Sequence, residues 1–214
     1  MFAKLSICNH SARVIQSVQK SALALVVAFM LLFFSNHFII TVMVCVSSFI
    51  ASFPSVGFSG SRLSGSSSVL SAQAFLPLCS SYLGTVGVGC AWGVDAAVRS
   101  AFSSAMVFRV TAPVTRASFA LRSSKLVHWV ASTGGILVAF PLGAAPSQLR
   151  PCISFAGHGS GTWGSVALAL GLGVQVLVVL PACTGGVFPA PVAVASRFTA
   201  VGIAPCGGYL WLAK

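Results

Sequence analysis

The chain has 214 residues, 57% of them hydrophobic and only 6% charged, and its twelve Lys and Arg face a single acid for a net charge of +11. Ordinary globular domains are about 25% charged, so three classes compete: a membrane protein, a domain from a background that depletes acids, and a reading frame that encodes no fold. Having one carboxylate, Asp95, and no Glu excludes hydrolysis by paired carboxylates, removes the usual protein ligands of magnesium, and leaves Asp95 alone to orient any Ser–His pair. A basic balance points to nucleic acid or an anionic membrane. Here the bases are scattered with no run of Lys or Arg, so the excess reflects missing acids more than gathered bases. The seven Cys form no CxxC pair, and His10, His37, His128 and His158 are isolated. That pattern predicts reduced thiols in a cytosolic setting and no structural metal.

Residues 1–20 are polar and basic, with Lys4, Arg13 and Lys20. Residues 21–52 follow as an apolar segment, interrupted at Ser35-Asn36-His37. About 20 apolar residues span a bilayer, so the segment predicts an N-terminal hydrophobic helix, with a membrane as partner through residues 21–50. The three preceding bases favour a cytoplasmic N-terminus, and the apolar run is too long for a signal peptide. Met30 and Met43 are alternative starts, and a start at Met43 would remove most of this segment.

From residue 53 short Val-rich runs alternate with helical spacing. PSVGFSGS (54–61), GTVGVGC (84–90), AMVFRV (105–110), GGILVAF (134–140) and VQVLVVL (174–180) read as strands. Residues 66–83, which Pro77 strains or splits, and 94–102, 116–132 and 162–173 read as helices. Strands alternating with helices predict βαβ units and a parallel sheet. Continuous apolar runs suit strands covered on both faces. The expected fold is α/β: a Rossmann-like parallel sheet of about five strands with helices on both faces, over residues 53–182. Residues 183–214 are too rich in Pro and Gly to assign, and could supply an edge strand or a flap. A frame without a fold would not set glycine turns after strand after strand.

Three of those turns stand out: GFSGSR (57–62), GVGCAWGVD (87–95) and GHGSGTWGS (157–165). Each falls at the carboxyl end of a strand or the amino end of a helix. That is the edge of an open α/β sheet where ligands bind and where helix N–H groups attract phosphate. One such turn is a tight turn and no more; three in order indicate a site.

These stretches resemble the SLOG superfamily, the Rossmann-like group of the DNA-processing protein A and the lonely-guy nucleoside phosphoribohydrolases. The likeness covers roughly residues 55–182. GCAWGVDAAVRSA is similar to the Gly-Ala-Arg-Gly-Ile/Val-Asp turn of the DNA-processing branch, and GSGTW stands where the family has Gly-Gly-x-Gly-Thr. The resemblance implies a nucleotide, a nucleotide-derived ligand such as an ADP-ribose derivative, or nucleic acid, with no cofactor. It implies that Ser59, Gly60, Ser61 and Arg62 line one side of the pocket. It also implies that Gly159, Ser160, Gly161 and Thr162 cradle phosphate, and that Gly89, Gly93 and Asp95 form the second turn; beside these, His158 reads as a general base, a phosphate contact or neither, and Cys90 stands within the second turn.

The chain departs from the family pattern at three places. Ser165 stands where the phosphoribohydrolases have their catalytic Glu, His158 replaces the first glycine of that motif, and Trp92 stands where the DNA-processing branch has Arg. A non-catalytic binding domain is therefore expected. The alternatives are a nucleoside-phosphate N-glycosidase that uses Asp95, a DNA-binding protein and a membrane protein. Asp95 itself has two readings: a partner of the helix dipole, or an acceptor for a ligand hydroxyl. Arg62 is the guanidinium best placed by sequence to grip phosphate. Cys90 is either a thiol activated at a helix N-terminus or a small buried hydrophobe. Trp92 and Trp163 are either stacking or packing residues.

Overall fold

A computed structural model describes residues 46–111, 113–182, 187–204 and 207–214. Most of the apolar N-terminal segment, with the expected membrane helix, lies outside the described residues. Its last part, 46–51, is helical (α1), and Val46 and Ile50 are buried in the same core cluster as the first strand.

Seven strands form one sheet in the order β3-β2-β1-β4-β5-β7-β6. Five are parallel: β1 (Ser55–Gly60), β2 (Thr85–Gly89), β3 (Met106–Phe108), β4 (Ile136–Phe140) and β5 (Gln175–Leu180). These are the five strands that the apolar runs predict. The segment left unassigned supplies two more, β6 (Phe198–Ile203) and β7 (Tyr209–Ala213), an antiparallel pair in which β7 also lies antiparallel to β5.

Helices cover both faces because side chains alternate along each strand. Val56, Phe58, Ile136, Val138 and Phe140 join α2 (Ser67–Phe75) and α3 (Val94–Ala101) in one core cluster. Leu137, Ala139, Val176 and Val178 join α4 (Arg116–Ser132) and α5 (Gly161–Gly171) in the other. A short α6 (Val192–Ala195) precedes β6.

Local chemistry sets the helix ends. Pro77 divides the 66–83 segment into α2 and a 3₁₀ turn, Leu76–Cys79, because proline lacks the N–H that an α-helix interior needs. Thr115 and Ser118 form a reciprocal capping box at the start of α4, with the Ser118 N–H donating to Thr115 Oγ1 at 3.1 Å and the Thr115 N–H to Ser118 Oγ at 2.8 Å. Two strand glycines let α4 lie close on the sheet: a Cβ at Gly57 would run into Val130, and one at Gly87 into Trp129.

Candidate functional site

The chain runs from β1 outward to β2 and β3, then returns to place β4 on the other side of β1. Connections therefore leave β1 and β4 in opposite directions, and a crevice opens beyond their carboxyl ends. It holds a cavity of about 770 Å³. Four segments build its wall: 59–63 after β1, 142–144 after β4, 157–163 entering α5, and the first two turns of α4.

The first and third glycine turns meet here. Ser59, Gly60, Ser61 and Arg62 line the cavity together with His158, Gly159, Ser160, Gly161 and Thr162. Ser59 Oγ donates to Ser165 Oγ at 3.2 Å, and Ser165 Oγ donates to the Gly161 carbonyl at 3.1 Å. Ser165 is thus fully buried beneath the turn and ties it to β1. Ser160 caps α5, its Oγ accepting from the Trp163 N–H at 3.4 Å. His158 takes φ +45 and Gly159 φ +95. His158 is the sole non-glycine with positive φ among the described residues. It holds a backbone conformation that glycine adopts without strain.

The second turn lies off the lining and braces it. Gly93 has φ +69, and its neighbour's N–H, that of Val94, donates to the Ser61 carbonyl at 3.0 Å. A Cβ on Gly93 would strike that same carbonyl oxygen. Arg99 donates to the carbonyls of Gly89 at 2.7 Å and Ala91 at 2.9 Å. Cys90 Sγ accepts from the Val110 N–H at 3.3 Å.

Asp95 is 3% exposed. Its Oδ2 accepts from the Ala91 N–H at 3.1 Å and from Arg122 Nη1 at 2.7 Å. Burial pushes the Asp95 carboxyl up from its ordinary range, against the downward pull of the Arg122 charge and the Ala91 N–H. Asp95 therefore reaches the cavity through Arg122, which does line it.

Sequence reasoning missed the contribution of α4. Arg116, Phe119, Arg122 and Ser123 all face the cavity. The Arg62 guanidinium lies 4.5 Å from the centre of the Phe119 ring and that of Arg122 lies 5.6 Å from it, so one aromatic ring gathers two cations. The signal was present as spacing, since residues at i, i+3 and i+7 share a helix face. Trp92 is 77% exposed and off the lining, whereas Trp163 is 1% exposed and its Nε1 donates to the Gly143 carbonyl at 2.9 Å, packing beneath the loop after β4.

Among the described residues no group of three or more His, Cys, Asp or Glu is placed to hold a metal ion, and no helix is long and apolar enough to cross a membrane. Comparison of the chain with protein families, with curated proteins and with solved structures returned no match.

Proposed function

We propose that residues 53–182 form a Rossmann-like, SLOG-type module that binds a nucleotide or a nucleotide-derived anion, such as an ADP-ribose derivative, and does no chemistry on it. The observation that carries this reading is the cavity at the carboxyl ends of β1 and β4. Arginines 62, 116 and 122 and the amino end of α5 surround its space of about 770 Å³. Volumes of this order suit small-molecule ligands, and a helix N-terminus with guanidinium groups is chemistry for phosphate. An N-glycosidase would need an acid at the ligand. The one side-chain carboxylate is committed to Arg122 and the Ala91 N–H, and Ser165 is buried.

The test is thermal melting of the protein with nucleotides, ADP-ribose and short single-stranded DNA. A ligand at 100 times its Kd should add about 2.7 kcal/mol. A Cβ at Gly161 would meet no atom within 4 Å, so Gly161→Val should keep the unliganded melt within about 0.5 kcal/mol and remove the ligand-induced shift. A shift that survives in Gly161→Val would count against the site. Release of free base from a nucleoside monophosphate, lost in Asp95→Asn, would replace binding with catalysis.

A further inference from the structure

We infer that the cavity takes its ligand as a metal-free polyanion with at least two negative charges, so that magnesium competes with the protein for the ligand. This rests on the anion-binding reading above and goes beyond it by setting the ligand's charge and metal state.

The charge balance of the wall is one-sided. Arg62, Arg116 and Arg122 line the cavity. Asp95 faces Arg122 at 2.7 Å, and the chain has no other Asp and no Glu. The guanidinium groups of Arg62 and Arg116 therefore have no side-chain carboxylate to meet. Phe119 holds Arg62 and Arg122 together on one ring, which keeps like charges near each other before any ligand arrives. Across the cavity α5 begins at Gly161 behind its Ser160 cap. The first N–H groups of a helix have no acceptor within it and present a positive dipole end. Gly161 and Thr162, which carry two of them, are part of the wall.

The same inventory offers no free side-chain carboxylate to share a magnesium ion with the ligand. Magnesium demands near-octahedral oxygen ligands, dehydrates reluctantly, and is usually held between one or two protein carboxylates and the substrate's phosphates. The only side-chain carboxylate in the chain, Asp95, uses Oδ2 for two donors and is 3% exposed. A magnesium–nucleotide complex carries two fewer net negative charges than the free nucleotide, so its attraction to the guanidinium groups is weaker. We expect it to bind about tenfold more weakly than the free nucleotide, a difference of about 1.4 kcal/mol.

Isothermal titration of the full chain settles the point with three probes: ADP, inorganic pyrophosphate and adenosine. ADP and pyrophosphate are each titrated in EDTA and in excess magnesium. The expected result is binding of both anions in EDTA, about tenfold weaker in magnesium, with loss of ADP affinity in Arg62→Gln and Arg116→Gln variants that melt like the parent. Binding that needs magnesium, or that is equal in the two buffers, overturns this inference and leaves the binding-module reading standing. Adenosine binding as tightly as ADP overturns the charge requirement alone. No binding of any probe in either buffer overturns this inference, and the binding-module reading falls with it when the melt is also unshifted by the other nucleotides, ADP-ribose and single-stranded DNA.

Discussion

Acidification should stabilise this protein, and Asp95→Asn should abolish the gain. The Asp95 side chain is 5% exposed and that of Arg122 11%. Burial is the largest influence on the Asp95 carboxyl and raises its pKa, while Arg122, the Ala91 N–H and Arg99 oppose it. The folded state then holds the proton more tightly than the unfolded chain, whose Asp titrates near pH 3.9. Stability consequently rises as pH falls from the folded pKa toward the unfolded one. A single group gives at most about 1.4 kcal/mol per pH unit. Acid unfolding ordinarily comes from many paired carboxylates. With one Asp and no Glu, that background is absent here, and the slope of one residue becomes readable.

The assay is urea unfolding of the wild type and of Asp95→Asn at half-unit steps between about pH 3 and pH 6, below the histidine range. In the variant the amide oxygen can accept the same two hydrogen bonds, so it should match or exceed the wild type at neutral pH and show no slope. The opposite pattern would refute the reasoning. That pattern is wild-type stability falling on acidification, with the variant about 3–5 kcal/mol weaker at neutral pH. It is the cost of removing one partner from a buried pair whose attraction outweighs its desolvation.

Two further outcomes test the fold around the site. Gly57→Ala puts a methyl into Val130 on α4 and should cost about 1–3 kcal/mol in a melting experiment, as overpacking does; a neutral result would mean that α4 does not seat on β1 as described. Burial raises the Cys79 thiol from 9.0 to about 12, so its contribution is intact below the unfolded pKa and is lost as pH rises from about 9 to about 12. The loss amounts to about 4 kcal/mol. Unfolding measured along that range should be steeper for the wild type than for Cys79→Ala, and parallel curves would sink the assignment.

The sequence by itself determined the five parallel strands and the helices between them. A strand buried on both faces reads as a continuous apolar run, and the intervening helices carry their own boundary signals: Pro77 ending α2, the Thr115–Ser118 cap opening α4, and the glycines after α4 and α5. It also placed the first and third glycine turns, since each is a local consequence of where a strand ends and a helix begins. The C-terminal segment could be read only as an edge strand or a flap, because β7 is made by pairing with β5 and β6 by pairing with β7, not by a periodic pattern of their own.

The tertiary structure alone decided what the second turn is for. Local spacing set Asp95 in the first turn of α3 but could not show that Arg122, 27 residues away on α4, lies 2.7 Å from its carboxylate. Nor could it show that this arginine, with Phe119 and Arg116, closes the cavity opened by β1 and β4. Helix spacing fixes which residues share a face. Which face meets the site depends on how the helix is laid across the sheet, and that follows from contacts distant in sequence, such as Val130 against Gly57 and Trp129 against Gly87.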